Sequence, residues 1–379
     1  MLAYTLQMLF FALSIFSVVI MFVMLLNDMK ATKKQWWTLL LPILLLFMTI
    51  AYRFDWLDNT TSDLYRFFQD FAAMRQYGFD YEMRYADGFS WVWRVIAYVF
   101  SGVENLHWFP VFAVGVDFFT FFYILVETAV EQKLSAFDVL LCIVLRLCLM
   151  PLIMSISACR NAMAYSLFSL GVFMYYRHGL KDLRMYIWML AGVMIHTTVL
   201  LGVIVFAISL LTSKWKPLLI VFVLLGVFYS NVIGPMLESS TNEYIQYFVG
   251  KWEHYSEIPN KYDVRKSSLI MIGLLPMFIW VLCWFFSGNK SPKKQRINYI
   301  LANMAVSIGV SAMMPTLFLR LCYPTAITIP MMWGELKTTE WKRKKNSELY
   351  WLVIIVCTMT LFIATRLAWS FELYWFFEV

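Results

Sequence analysis

Hydrophobic residues in this chain come in long runs, not in the strict alternation or three-four spacing of a water-soluble fold. Apolar stretches fall at about 4–26, 36–54, 89–103, 109–130, 138–157, 160–176, 186–211, 217–236, 267–287, 298–316, 318–334 and 349–370. A helix uses roughly 20 residues to cross a hydrocarbon layer about 30 Å thick, so the pattern predicts an all-α, polytopic transmembrane helix bundle of about 10–12 spans. What lies between the runs is too short for a separate soluble domain of ordinary size. Residues 1–379 therefore read as one integral membrane domain, with its main external loops at 53–88 and 237–266. The first run, Tyr4 to Leu26, has no basic residue before it and no small-residue cleavage site, and reads as a retained span.

The polar positions between the runs set an orientation, because Lys and Arg are retained on the cytoplasmic side. Segments 27–35, 212–216, 288–297 and 336–347 carry 14 basic residues against only Asp28 and Glu340, and are expected to face the cytoplasm. The connections 53–88 and 237–266 hold 12 acidic residues against 8 basic ones, and are expected to face the other side. If every run crosses once, twelve crossings place both termini outside. One connection then disagrees: 177–185, with Arg177, Lys181 and Arg184, would be external. Ten crossings remove the conflict if 89–103 is too short to span and 186–211 folds back near His196.

Connection 53–88 has a pattern of its own. Thr60-Thr61-Ser62-Asp63 supplies a helix N-cap, and Leu64, Phe67, Phe68, Phe71 and Met74 then recur at helical spacing opposite Arg66, Gln69, Asp70 and Arg75. This external amphipathic helix either lies in the membrane interface with its phenylalanines in lipid or caps the bundle.

Composition sharpens the picture. With 61% hydrophobic and 15% charged residues and a mean hydropathy of +0.67, the chain cannot keep the surface of a soluble enzyme wet, nor can it be disordered. The net charge of +7 would raise nucleic acid as a partner in a soluble protein. Here the basic residues sit between apolar runs, so membrane lipids are the expected neighbours and nucleic acid is not. Cys142, Cys148, Cys159, Cys283, Cys322 and Cys357 lie in or beside apolar runs without a Cys-x-x-Cys or Cys/His cluster, and read as buried filler.

Ionisable residues inside spans cost about 2.5–3.5 kcal/mol each even on a lenient insertion scale, so each needs a reason. Asp117 and Arg146 are expected to form an ion pair, and Arg366 to snorkel to an interface. Arg160 interrupts a stretch of small residues, Ser155 to Ala162, which permits close helix approach and a polar cavity. Arg320 follows Pro315 in a similar break, and His196 lies midway along an apolar run. Two arginines and a histidine converging on a cavity suit an anionic, phosphate-bearing ligand, because guanidinium forks match phosphate oxygens. No Walker-type or dinucleotide-type glycine pattern and no His-Glu-x-x-His occurs, so no cofactor is expected.

Several short motifs follow one another along the chain. Asp63-Leu64-Tyr65 lies in the outer connection, and Asp87-Gly88-Phe89 precedes the next apolar run. Arg160-Asn161-Ala162-Met163-Ala164 opens a span, His196-Thr197-Thr198 comes further on, and Arg320-Leu321-Cys322-Tyr323 stands near the C-terminal end. Their order resembles the EpsG-like branch of Wzy-type bacterial polysaccharide polymerases, with Asn161 where that family usually has Gln and Thr198 where it usually has Ser.

The resemblance implies an integral membrane glycosyltransferase of the bacterial cytoplasmic membrane with its site on the outer side. Its donor would be an oligosaccharide on undecaprenyl pyrophosphate, its acceptor a similar lipid-linked glycan, and a chain-length regulator is a further candidate partner. Arg160 and Arg320, with His196 and Tyr323, would hold the pyrophosphate. Asp63, or secondly Asp87, would take the proton from the acceptor hydroxyl. Tyr65, His254 and Tyr255 are weaker candidates for sugar contact. Asp55, Asp58 and Asp63 cluster closely enough to raise a divalent cation, but direct neutralisation by arginine, with no metal, is the expected mode. A lipid-linked oligosaccharide flippase and a membrane glycan acyltransferase are the competing classes.

Overall fold

The computed structural model describes residues 2–27, 29–54, 63–81, 90–150, 152–211, 246 and 323–338. Asp55, Asp58, the Thr60–Ser62 cap, Asp87, His254, Tyr255, Arg320, Arg366, Cys283, Cys322 and Cys357 lie outside them. Packing divides the chain into two compact units, Met1–Leu200 with Ala326–Thr338 and Phe377–Val379 in one, Leu201–Thr325 with Thr339–Phe376 in the other. The first unit carries the features below.

Among the described residues every element is an α-helix: α1 (Leu2–Leu26), α2 (Lys33–Arg53), α3 (Asp63–Tyr77), α4 (Trp91–Ser101), α5 (Trp108–Gln132), α6 (Ala136–Leu149), α7 (Leu152–Ser157), α8 (Cys159–His178), α9 (Leu183–Ile195), α10 (Val199–Leu211) and α11 (Ile329–Thr338). Three of them, α1, α2 and α5, are long and apolar enough to cross a membrane. The all-α membrane bundle expected from the apolar runs is the fold observed.

Local chemistry sets the boundaries. Thr32 and Gln35 form a reciprocal capping box at the start of α2, and Ser135 and Asp138 do the same for α6. Lys133 ends α5 in a left-handed conformation, and Gly179, at φ 79°, ends α8. Asp182 caps α9 and pairs with Arg184, whose guanidinium holds that carboxyl below its ordinary range.

The central helix is α5. Its sides are covered by α2, α7, α8 and α11, whereas α1 packs on α2 and α6 and leaves Leu9, Phe16, Val19 and Phe22 exposed, as a lipid-facing helix must. On α1 the hydroxyls of Ser14 and Ser17 donate back to Phe10 O and Leu13 O, which satisfies them without water. Helices α8 and α9 approach so closely that a Cβ on Gly171 would lie 2.7 Å from Met189 Cγ and one on Gly192 would lie 2.6 Å from Ala164 O. Glycine is required at both places by the packing.

The ends of the bundle can be assigned by side-chain pairs. Lys33 at the start of α2 pairs with Glu127 near the end of α5, and Arg177 at the end of α8 donates to the same carboxylate at 2.7 Å. Tyr52, at the far end of α2, accepts from Asn105 Nδ2 at 2.8 Å just before α5 begins. Connections 133–135 and 179–182 therefore lie at the Lys33 end. This corrects the expectation of twelve simple crossings, which put 177–185 at the opposite end. The physical reason is length: α4 has 11 residues, about 16 Å at 1.5 Å per residue, too short to cross. The run 186–211 is likewise two helices, α9 and α10, broken at His196. Reporter fusions at residues 133 and 181 should score on the same side as one at residue 30; opposite sides for 30 and 181 would overturn the arrangement.

The amphipathic α3 is a cap. Leu64, Phe67, Phe68, Phe71 and Met74 are all buried, against α4 and the beginning of α5. Phe67 meets Trp93 with ring centroids 4.9 Å apart, and Phe71 meets Phe109 at 5.0 Å in an edge-to-face arrangement. The phenylalanine stripe is spent on protein rather than lipid. Arg75 fixes α3 to the end of α4 by donating to Ser101 O and Val103 O at 2.6 and 2.7 Å.

Candidate functional site

Two polar clusters sit inside the first unit, and they differ in kind. In the first, Asp117 on α5 and Arg146 on α6 form the expected ion pair, Nη2 to Oδ2 at 2.6 Å with both side chains 0% exposed. Ser155 on α7 donates to the same carboxylate oxygen at 2.6 Å, and Ser166 on α8 donates to the other at 2.8 Å. Arg146 also donates to Met150 O at 2.7 Å and stacks over Phe118. Both carboxylate oxygens of Asp117 are thereby satisfied, while Arg146 keeps one buried donor, Nε, without a partner.

The second cluster lies where four helices end or begin. Ala158 breaks the path between α7 and α8 with no side-chain cap, so α8 opens at Cys159-Arg160-Asn161 among small residues. Arg160 is 4% exposed. Its Nε donates to Ile195 O at 2.7 Å, its Nη2 donates to Ser90 Oγ at 2.7 Å, and its guanidinium lies over the Trp93 ring at 5.3 Å. Ile195 is the last residue of α9, where carbonyls lack helical partners and the helix dipole favours a cation. Ser90 and Trp93 begin α4. One side chain thus ties the starts of α4 and α8 to the end of α9.

His196 follows Ile195 directly, in extended conformation with its own N–H held by Gly192 O at 3.0 Å. The break that follows is local: Thr198 N donates to His196 Nδ1 at 3.2 Å, Thr198 Oγ1 lies 3.1 Å from the same nitrogen, and Tyr165 OH donates to Thr198 Oγ1 at 3.2 Å. Arg160 and His196, 36 positions apart, are brought together through the backbone carbonyl that precedes the histidine.

Asp63 opens α3, pairs loosely with Arg66 at 3.4 Å, and is 40% exposed. Helix α3, which Asp63 opens, touches α7, the short helix that precedes α8. Tyr65, one turn into α3, is half-buried. Tyr323 is buried in the second unit. Asn161 is buried with Oδ1 unpaired, a cost of about 1–3 kcal/mol that stability alone does not reward. Cys142 and Cys159 are free and buried, as filler cysteines should be.

The structure brings Arg160 to the carbonyl that precedes His196, and sequence reasoning did not single out Ser90, Trp93, Tyr165 and Thr198 as their supports. A signal existed for two of them: Ser90 directly follows Asp87-Gly88-Phe89, and Thr198 closes His196-Thr197-Thr198. The other two are aromatics in an aromatic-rich chain and carried none.

The arrangement offers a buried guanidinium held on the carbonyl that precedes His196, and a partly exposed carboxylate at the start of α3. A guanidinium is suited to an oxyanion and a carboxylate to accepting a proton. No curated protein and no solved structure matches the chain. A family model does match, over residues 36–375, nearly the whole length and all four described candidates of the first unit, Asp63, Tyr65, Arg160 and His196. The chain belongs to the EpsG family, the family of EpsG-like polysaccharide polymerases.

Proposed function

We propose that this protein polymerises oligosaccharide repeat units carried on undecaprenyl pyrophosphate, by glycosyl transfer at the outer side of the cytoplasmic membrane. The acceptor's terminal sugar hydroxyl attacks the anomeric carbon of the donor glycan. The bond from that carbon to the pyrophosphate oxygen breaks, and its electron pair leaves with the lipid pyrophosphate. The hydroxyl proton passes to a carboxylate, Asp63 in this reading and Asp87 as its alternative. Arg160, Arg320 and His196 neutralise the charge that develops on the leaving oxygens, with Tyr323 as a further phosphate contact. Preorganised cations in a dry cavity are worth far more than the same groups in water.

The observation that carries this reading is the Arg160 guanidinium, buried, fixed on Ile195 O and Ser90, and adjacent to His196. A side chain ordered at such cost inside a bundle is expected to serve an anionic ligand. Purified protein supplied with a lipid-pyrophosphate oligosaccharide should yield a ladder of polymers. Arg160→Ala and Arg320→Ala should abolish the ladder while the bundle still folds, and turnover should survive a chelator. Normal ladders from both variants would overturn the phosphate role, and transport of the intact substrate without elongation would make the protein a transporter.

A further inference from the structure

The contacts at the α9–α10 break define more than the position of His196; they define which of its nitrogens carries the proton. Resting on the reading that His196 faces the pyrophosphate, we infer that it acts as a neutral imidazole protonated on Nε2, a fixed hydrogen-bond donor whose tautomer is set by the backbone N–H of Thr198.

A backbone N–H can only donate. Thr198 N lies 3.2 Å from His196 Nδ1 in hydrogen-bonding geometry, so Nδ1 must present its lone pair there. The proton of a neutral ring then resides on Nε2. The hydroxyl of the same threonine lies 3.1 Å from Nδ1, and its own oxygen accepts from Tyr165 OH. A ring nitrogen has one lone pair, so the backbone N–H is the donor that fixes the proton, while the two hydroxyls line the same edge of the ring. Tyr165 is fully buried on α8, five residues after Arg160, so the helix that carries the arginine also lines the histidine. The two groups thereby present donors, not a base: a guanidinium from one side and an Nε2–H from the other. That division leaves proton removal to the carboxylate and gives His196 one task, a hydrogen bond to a leaving phosphate oxygen that strengthens as charge develops. Thr198 is a positioning residue, acting through its backbone N–H.

The test reads the tautomer directly. The chain has four histidines, so protein labelled with 15N-histidine in lipid gives few imidazole signals, and His196→Gln identifies the one that disappears. In the ligand-free protein His196 should give the paired nitrogen signals of the Nε2–H form. Thr198→Val and Tyr165→Phe keep the backbone N–H and should leave the Nε2–H spectrum in place, whereas Thr198→Pro, which removes that donor, should add Nδ1–H signal. A wild-type spectrum showing Nδ1–H or doubly protonated imidazole would overturn the inference, as would an unchanged tautomer population in Thr198→Pro. On elongation, His196→Ala should lower kcat by about 10²-fold with little change in KM, as loss of a contact made in the transition state does. His196→Gln, whose amide N–H stands near the place of Nε2–H, should recover part of that loss; equal loss in the Gln and Ala variants would also count against a donor. The spectra need no substrate, so an Nε2–H signal from a protein that makes no polymer would retain the tautomer and discard the polymerase reading.

Discussion

Replacing Arg160 by lysine should slow chain elongation by about 10²–10³-fold, although charge is conserved. The reason is the number of directions in which the side chain is held. Nε, Nη2 and the guanidinium face are each engaged, by Ile195 O, Ser90 Oγ and the Trp93 ring. A planar fork can satisfy these three and still direct charge at an oxyanion, because its donors point outward from one rigid plane. An ammonium is a single point; it can bond the carbonyl at the end of α9 or turn towards a ligand, and it stacks on an indole less well. The loss should therefore appear in kcat with KM little changed, measured from the polymer ladder, while the thermal transition in detergent shifts far less than the rate. A lysine variant that elongates at the wild-type rate would show that only net charge is needed there and that the geometry is incidental.

How much of this was readable beforehand depends on which physical signal each residue carries. The α3 stripe of Leu64, Phe67, Phe68, Phe71 and Met74 was legible because helical periodicity survives in any environment. What covers it was not, since a phenylalanine face is equally at home in lipid and against Trp93 and Phe109. The pairing of Asp117 with Arg146 was legible because opposite charges in apolar runs have few other remedies. The serines that complete it were invisible, because a serine in a span usually bonds its own helix, as Ser14 and Ser17 do. Charge counting flagged the basic connection 177–185 as inconsistent with twelve crossings, and the bundle resolves the conflict through the shortness of α4. Arg160 and His196 were picked out by the cost of their burial, but their mutual approach depends on a backbone carbonyl, which no sequence pattern displays.

Asp117→Ala should be the most damaging single change to the stability of the bundle, at about 3–5 kcal/mol, because it strands a buried guanidinium. Arg146 would keep Met150 O and the Phe118 face but lose its counter-charge in a region with no water to replace it. Ser155 and Ser166 would lose their acceptor at the same time, and these two hydroxyls are what attach α7 and α8, on either side of the break at Ala158, to the central helix. Removing both charges is a different matter. Asp117→Leu combined with Arg146→Met leaves no uncompensated charge, and such exchanges of buried pairs are often neutral or stabilising by about 1–4 kcal/mol. The single variants should therefore unfold at much lower denaturant concentration than the double variant, a non-additivity that denaturation in detergent can measure directly. Should the double variant regain stability yet elongate slowly, the carboxylate holds Ser155 and Ser166 so that Arg160 meets its ligand. If Asp117→Ala costs less than about 1 kcal/mol, the range of an exposed pair, the cluster does not behave as the buried pair that its geometry describes.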